Sequence, residues 1–300
     1  MTKLHHGLNL KGARQLAYDL AIAKRKKIPT SWEENKMAGK FWFTSFMKRS
    51  SELSLRSAEA TSLARAMGFN RSVVANFFSN LKKIYEKYAL TPSQVYNVDE
   101  TALTIVQDTG RVIAKKGEKQ EVHIVSNEGG TLVTMCNAIN AIGNSIPPFL
   151  VFPRKFFNDY IVKNAPSGFQ GCAAQSGWMT AELFEQWMIY FVKYTNSTKK
   201  SPIFLIMDIY ESHITLASIK FAKENNIILL TLPPHTSHRF QSLDKAVFGP
   251  LKKYYSHGCQ NLLLKNPGKR IIIYDLAVIL SDAYLLAFSF KNMVSAFKAT

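Results

Sequence analysis

Cysteine is scarce in this chain, which has only Cys136, Cys172 and Cys259 among its 300 residues. Three scattered cysteines are too few for a disulfide framework or a cysteine-rich zinc site, and they indicate a reducing compartment. The first six residues lack the apolar core of a signal peptide. No apolar run approaches the roughly 20 residues that a membrane span requires. These absences predict a soluble intracellular protein without a membrane partner.

Acidic residues are also few, since 21 Asp and Glu stand against 38 Lys and Arg, and the formal net charge is +17. Residues 1–90 hold 17 of the basic and 6 of the acidic residues, so the positive charge is concentrated at the amino end. A strongly basic chain is attracted to polyanions, and nucleic acid is the partner that this distribution predicts. With 47% hydrophobic residues, the chain can bury the core of one or two domains.

Three aspartates follow segments that place them together in an α/β fold. Asp99 ends the apolar run 95–98, Asp208 ends the run 203–207, and Asp244 opens a helix-like stretch. Ligands of α/β sheets collect at the carboxyl ends of the strands. Carboxylates gathered there can hold two Mg²⁺ ions about 4 Å apart and activate a water or hydroxyl against a phosphodiester. Any one of the three could instead be an ordinary turn residue or helix cap.

The residues around these aspartates form six motifs that resemble the DDE superfamily endonuclease domain of pogo/Tigger-type transposases, in the same order over residues 92–300. The motifs are Tyr96-Asn97-Val98-Asp99-Glu100-Thr101, Cys136-Asn137-Ala138 with Ile146-Pro147-Pro148, Gly177-Trp178-Met179, Asp208 with Glu211-Ser212-His213, Leu232-Pro233-Pro234-His235-Thr236-Ser237-His238, and Leu243-Asp244-Lys245-Ala246-Val247-Phe248-Gly249-Pro250.

The resemblance implies an α/β fold, a ribonuclease H-like mixed sheet with flanking helices. It also implies that Asp99, Asp208 and Asp244 are the catalytic and metal-binding residues, with Mg²⁺ or Mn²⁺ as cofactor. Such an enzyme nicks DNA by water attack, and the freed 3′-hydroxyl then attacks a target phosphodiester. The chain departs from the family pattern where Ile209 and Tyr210 replace polar residues after Asp208. Because polar neighbours normally orient metal ligands, this departure predicts weakened catalysis.

The amino-terminal third shows apolar residues at helical spacing and predicts a small all-α domain with a basic surface. Its sequence resembles the second helix-turn-helix of the centromere protein B type DNA-binding region, as in Arg14-Gln15-Leu16-Ala17-Tyr18 and Gly39-Lys40-Phe41-Trp42-Phe43. The resemblance implies a DNA-binding domain at residues 1–80 that precedes the endonuclease domain at 92–300. It also implies that the chain is part of a longer protein, truncated at both ends.

The partner that these resemblances imply is double-stranded DNA in the nucleus, and they leave a homo-oligomer open. Lys24 to Lys27 could be a phosphate clamp, a nuclear-import patch or an ordinary helix end. The candidate DNA-binding residues are all basic and are Lys11, Arg14, Lys24, Arg25, Lys26, Lys27, Lys48, Arg49, Arg56 and Arg65.

Other chemistries compete with this interpretation. Asp208, His213, His235 and His238 could form a zinc site, although the last two lie in a Pro-flanked loop rather than at helical spacing. Ser212 beside His213 could suggest a hydrolase triad, but there is no nucleophile elbow. A host-retained DNA-binding protein without catalysis is the main alternative, and a metal-dependent phosphoesterase of smaller substrates is a third.

Overall fold

The computed structural model of the chain describes residues 9–55, 68–105, 132–210 and 213–300. It separates into two compact units, Met1–Ser62 and Leu63–Thr300. The sequence also predicts a helix after Ser57 that runs through Met67 and a strand at residues 121–126. Both lie outside the described residues, as do Arg56, Arg65 and Ser212.

The first unit is helical, as the spacing of its apolar residues predicts. Asn9 caps the first helix by accepting a hydrogen bond from the Gly12 amide at 2.7 Å. The Trp42 ring packs against Trp32 at 5.7 Å and Phe46 at 5.3 Å between ring centroids. The described helices of this unit are α1 (Leu10–Ala23), α2 (Thr30–Asn35) and α3 (Lys40–Arg49). The helix-turn-helix assignment itself stays a prediction.

A long helix, α4 (Arg71–Tyr88), opens the described part of the second unit. Asn70 caps it, because its side chain accepts a hydrogen bond from the Val73 amide. The Phe77 ring stacks on Phe240 with centroids 5.5 Å apart, which attaches the helix to the rest of the second unit. The predicted domain boundary at residue 80 therefore falls inside this helix, whereas the two compact units divide between residues 62 and 63.

A six-stranded mixed sheet forms the centre of the second unit, in the order β4-β3-β2-β1-β5-β6. The pairs β1–β2 and β2–β3 are antiparallel, whereas β1–β5, β5–β6 and β3–β4 are parallel. The mixed sheet confirms the expectation that the resemblance implies. The strands are β1 (Val95–Thr104), β2 (Leu132–Asn140), β3 (Phe149–Phe152), β4 (Gln170–Ala173), β5 (Ile203–Met207) and β6 (Ile227–Thr231).

Helices cover both faces of the sheet, because successive side chains of a strand point to opposite faces. On β1, Tyr96 and Val98 pack into a core with α5 (Ala181–Thr195), whereas Leu103 faces the carboxy-terminal helices. The remaining helices are α6 (Leu216–Glu224), α7 (Ser237–Phe240), α8 (Ser242–Ala246), α9 (Phe248–Lys265), α10 (Leu276–Ala287) and α11 (Phe290–Lys298).

No single helix within the described ranges is long and apolar enough to cross a membrane. By length and composition alone, α10 and α11 together reach that threshold as a pair bent by 63°. Leu276, Leu280 and Ala287 of α10 are fully buried against the sheet and α9, as expected of a core helix.

Candidate functional site

Two of the predicted site residues lie side by side at the carboxyl end of the parallel strands. Asn97 of β1 pairs with Ile206 of β5, so Asp99 and Asp208 stand two residues further along neighbouring strands. The strands that lead to Asp99 and Asp208 are therefore neighbours, as a shared site for these two residues requires. The strand β1 does not end at Asp99, however, but continues to Thr104 along β2. Because β5 ends at Met207, the two carboxylates lie where β1 loses its parallel partner.

Asp244 lies in the first turn of α8, on the same side of the sheet as Asp99, and its side chain is exposed. Burial raises the pKa of the half-buried Asp99 carboxyl well above its ordinary value, and the negative charges of Asp244, Glu100 and Asp208 raise it further. The four carboxyl groups therefore interact electrostatically. Negative charge near a carboxyl group disfavours its ionisation, which is the effect of these neighbours on Asp99.

A pair of buried amides fixes the start of α8 to β1. The Asn97 side-chain amide donates to Gln241 Oε1, and Gln241 Nε2 donates to the Val98 carbonyl at 3.1 Å. The Leu243 amide in turn donates to Asn97 Oδ1 at 3.1 Å. Both side chains are almost completely buried, so these hydrogen bonds are made without competition from water. The amide pair thereby places Asp244 near Asp99.

A buried histidine contacts both Asp208 and Glu100, and Glu100 lies on the face of β1 opposite to Asp99. His213 Nε2 lies 2.9 Å from Glu100 Oε1, and His213 Nδ1 lies 2.9 Å from Asp208 Oδ1. The imidazole also lies on the Phe184 ring, with centroids 4.4 Å apart. Ser218 Oγ donates to the His213 carbonyl at 2.8 Å and holds the backbone. The hydrogen bond to Glu100 and the Phe184 ring therefore hold this imidazole beside Asp208.

The role of Glu100 was missed at the sequence level. It follows Asp99 directly, and alternation along a strand sends the two side chains to opposite faces. Glu100 therefore reaches His213 beside α5, while Asp99 faces α8. Only the adjacency of the two acidic residues in the motif could have pointed to Glu100.

Charge on His213 should make stability depend on pH. Burial opposes protonation, but the contacts with Asp208 and Glu100 dominate and raise the imidazole pKa from 6.5 to about 10. A group whose pKa is higher in the folded than in the unfolded chain stabilises the fold fully at pH values below its unfolded pKa. This contribution to stability is lost as pH rises toward the folded pKa. Without divalent ions, we expect the stability difference between the wild type and His213→Gln to be largest below pH 6.5 and to shrink toward pH 10.

Urea unfolding across this pH range measures that difference. The matched control is His257→Gln at an exposed position of α9, which should leave the unfolding free energy nearly unchanged throughout. A His213→Gln difference that stays constant with pH would show that the imidazole contributes packing alone.

Divalent cations suit the donor atoms of this site. Carboxylate oxygens are the ligands that Mg²⁺ and Mn²⁺ prefer. The repulsion that raises the Asp99 pKa is also the interaction that a bound cation would relieve. In the described ranges, no three His, Cys, Asp or Glu side chains already converge as metal ligands. The coordination of one metal site by Asp99, Asp208 and Asp244 therefore remains a prediction.

The alternative zinc site is not supported by the structure. Asp208 and His213 are in contact, but they do not form a ligand cluster with His235 and His238 among the described residues. His235 occupies the turn after β6 with a positive φ of 64°, and the His238 ring lies 6.3 Å from Phe69. The hydrolase alternative depends on Ser212, which lies outside the described residues.

The basic residues predicted to bind DNA are mostly at the surface of the first unit. Arg14 differs, since it is half-buried and its Nε donates to the Ala38 carbonyl at 2.6 Å, a contact that joins α1 to the segment before α3. Lys24 to Lys27 follow the last turn of α1, so these basic residues lie at the carboxyl end of a helix. The exposed candidates are Lys11, Lys24, Arg25, Lys26, Lys27, Lys48 and Arg49.

Solved structures with the same arrangement of elements include the Mos1 strand transfer complex. Its Mos1 chain superposes with a TM-score of 0.50 at 12% identity, over 97% of this chain and 80% of that one. A pre-cleavage Mos1 transpososome gives the same TM-score and identity, over 93% of this chain and 80% of that one. At this level of identity the likeness shows the fold.

Relatives in sequence include both transposon-derived and other proteins. The Pogo transposable element with KRAB domain of Mus musculus is 24% identical over 253 residues, 82% of this chain and 39% of that protein. The MFS-type transporter clz9 of Cochliobolus lunatus is 30% identical over 222 residues, 73% of this chain and 24% of that protein. The Tigger transposable element-derived protein 4 of Mus musculus is 27% identical over 171 residues, 55% of this chain and 31% of that protein.

The chain thus spans between 24% and 39% of the length of these relatives. The family model for the DDE superfamily endonuclease matches residues 130–297, which is more than half of the chain and includes Asp208 and Asp244. This match agrees with the sheet topology, with the position of the aspartates and with the likeness to pogo and Tigger proteins. The chain belongs to the DDE superfamily endonuclease family.

Proposed function

We propose that the chain is a nuclear, transposase-derived DNA-binding protein whose second unit is built for metal-dependent cleavage and transfer of DNA strands. One observation carries this proposal: Asp99 and Asp208 stand next to each other on parallel strands, and the charge of Asp244 acts on Asp99. Three interacting carboxylates at the carboxyl end of a sheet are suited to phosphodiester chemistry.

Each group of the site has a defined part in this function. Asp99, Asp208 and Asp244 would hold Mg²⁺ or Mn²⁺, which supplies an activated water and neutralises charge on the phosphodiester. His213 orients Asp208 and is itself held by Glu100. The hydrogen bonds of Asn97 keep α8 against β1. Water, and then a 3′-hydroxyl, would be the nucleophiles.

Several features support DNA as the substrate. The exposed basic residues of the first unit provide positive charge for duplex phosphates, and binding that depends on them should weaken as salt rises. The solved relatives include a strand transfer complex and a transpososome of Mos1. The concentration of positive charge in residues 1–90 favours a polymer over a small phosphate ester. A protein that handles chromosomal DNA works in the nucleus.

A second candidate function is DNA binding without catalysis, and the residues after Asp208 favour it. Ile209 and Tyr210 have side chains that are 50% and 61% exposed beside the carboxylate. Ile209 offers no hydrogen-bonding group, and the Tyr210 ring approaches the His213 ring at 5.8 Å. Neither supplies the polar support that a metal ligand usually receives.

Nicking of supercoiled DNA in the presence of Mg²⁺ or Mn²⁺ tests the two functions. We expect weak or no nicking by the unmodified chain, because a misplaced ligand can cost about 100-fold in rate. The double substitution Ile209→Asn and Tyr210→His should increase nicking, since it restores polar groups next to Asp208. The readout is the rate at which open circular product appears.

Two results would contradict these expectations. Vigorous cleavage by the unmodified chain that disappears in Asp208→Ala would show that Ile209 and Tyr210 do not impair the site. Cleavage that survives Asp208→Ala would mean that the aspartates are not the catalyst. If neither the chain nor the double variant nicks DNA but both bind it, DNA binding without catalysis becomes the supported function.

A further inference from the structure

The segment after β3 presents aromatic rings to solvent. Phe156 is 76% exposed and Tyr160 is 64% exposed, and Tyr274 lies beside Tyr160 with ring centroids 6.3 Å apart. Neighbouring side chains of the same segment are inserted into the core: Ile161 is fully buried, and Phe157 packs on Phe152. The segment is therefore anchored, and its outward rings are held at the surface by the fold.

Cations lie over each of these rings. The Arg154 guanidinium is 5.0 Å from the Tyr274 centroid, and its Nη1 donates to the Tyr274 hydroxyl at 3.0 Å. Lys155 Nζ lies 5.5 Å from the Phe156 centroid, and Lys163 Nζ lies 5.1 Å from that of Tyr160. We call these six residues the basic-aromatic patch: Arg154, Lys155, Phe156, Tyr160, Lys163 and Tyr274.

The charge of the patch is positive. Asp159 is the acidic residue of the segment, and Asp275, which follows Tyr274, is paired with Lys269 at 2.8 Å. The patch therefore carries three positive charges, against the one negative charge of Asp159 in the same segment. Alternating rings and cations match the two parts of a single nucleic-acid strand, because bases stack on rings while phosphates contact the cations.

The patch follows the carboxyl end of β3, and the carboxylates also lie toward the carboxyl ends of their strands. Thr134 of β2 pairs with Ala102 of β1 on one side and with Val151 of β3 on the other. Val151, near the carboxyl end of β3, is therefore level with Ala102, three residues beyond Asp99 on β1. With strands about 4.8 Å apart, β3 lies about 10 Å from β1 across the sheet. A nucleic-acid strand whose sugar-phosphate backbone reaches Asp99 and Asp208 can thus continue toward the patch.

We propose that the basic-aromatic patch binds the unpaired bases of a nucleic-acid strand. This site is distinct from the duplex-binding surface of the first unit, and it deepens the proposed function by giving the strand that leaves the carboxylates a place to stack. The proposal rests on that function only in taking nucleic acid as the ligand.

Fluorescence anisotropy of the full chain with a labelled oligothymidylate of about 12 nucleotides tests the proposal, since this length falls within known site sizes. Measurements are made in EDTA, so that a failure of the catalytic proposal does not affect them. A second probe has the same phosphates but abasic residues. We expect the double variant Phe156→Ala and Tyr160→Ala to bind oligothymidylate about 5- to 150-fold more weakly and to bind the abasic probe almost unchanged.

Two further variants separate stacking from charge. Lys155→Gln should weaken the binding of both probes to a similar extent. It should also lower the dependence of affinity on salt, because it removes a phosphate contact. Phe290→Ala is the matched aromatic control: its ring is 69% exposed, and it packs near Gly143 at the other end of β2. This control should bind both probes like the wild type.

The proposal is overturned if the ring variants lose equal affinity for the two probes, or if neither probe is affected. It is also overturned if they lose binding to phosphatidylserine-containing vesicles while oligothymidylate binding is unchanged, since the patch would then recognise a lipid surface. Circular dichroism shows whether each variant remains folded. If the alanine variant does not fold, Phe156→Leu and Tyr160→Leu keep the apolar volume without the aromatic faces and should give the same loss.

Discussion

Replacing Asp208 by alanine should abolish metal-dependent nicking in the Ile209→Asn, Tyr210→His background. We expect a loss of about 100-fold or more, because changes in the groups that merely support metal ligands already cost about 10- to 100-fold. Asp99→Ala should have the same effect, since Asp99 lies on β1 and Asp208 follows the parallel neighbour β5 at the same level of the sheet. Initial rates of plasmid nicking measure the loss.

Calorimetric titration with Mn²⁺ separates metal binding from chemistry. Binding should weaken in Asp99→Ala and in Asp208→Ala, and it should tighten as pH rises, because the raised pKa of Asp99 makes protons compete with the metal. Asp282→Asn on the exposed side of α10 is the matched control and should change neither binding nor nicking. Mn²⁺ binding that is unaffected by both alanine variants would place the metal elsewhere.

Truncation of Trp187 should produce the largest loss of stability. This side chain of α5 is completely buried, and its ring stacks on Phe184 at 5.3 Å and Phe191 at 5.1 Å. Removal of a large aromatic side chain from a core costs about 3–5 kcal/mol, and we expect Trp187→Ala to reach this range. Chemical unfolding monitored by circular dichroism measures the change.

Two other substitutions show where this stability comes from. The Trp187 indole nitrogen has no hydrogen-bond partner among the described residues, so Trp187→Phe should cost much less than the alanine variant. The matched control is Trp178→Ala, since that side chain is 57% exposed and its loss should stay within about 0.5 kcal/mol. Equal losses for Trp187→Ala and Trp178→Ala would contradict the packing described for α5.

Sequence predicts best those parts of this molecule that depend on local patterns. The run before Asp208 is continuously apolar and the one before Asp99 is apolar except for Asn97, as in strands buried on both faces, and the two runs form neighbouring strands. The strand β4 was missed because its sequence, Gln170-Gly171-Cys172-Ala173, contains no β-branched residue. Its extended form depends on pairing with β3, which no local pattern reveals.

The candidate site was predicted in its acidic residues but not in the groups that hold them. Each aspartate has a local signal, because it follows a recognisable segment. The contact between Glu100 and His213 joins residues 113 positions apart, and the one between Asn97 and Gln241 joins residues 144 apart. Such pairs become visible only when the chain is folded, since side chains so distant in sequence have no periodic relation.

The buried amide pair also bears on the order in which the molecule folds. Closing a loop of 144 residues carries a large entropic cost, and contacts at such separation slow folding. Contacts between residues closer in sequence, such as those between β1 and β2, close a shorter length of chain and can form earlier. Until Gln241 arrives, Asn97 lacks the partner for its buried amide, at a cost of about 1–3 kcal/mol. Asp244 should therefore join Asp99 near the end of folding, so that a partly folded chain does not yet hold Asp244 near β1.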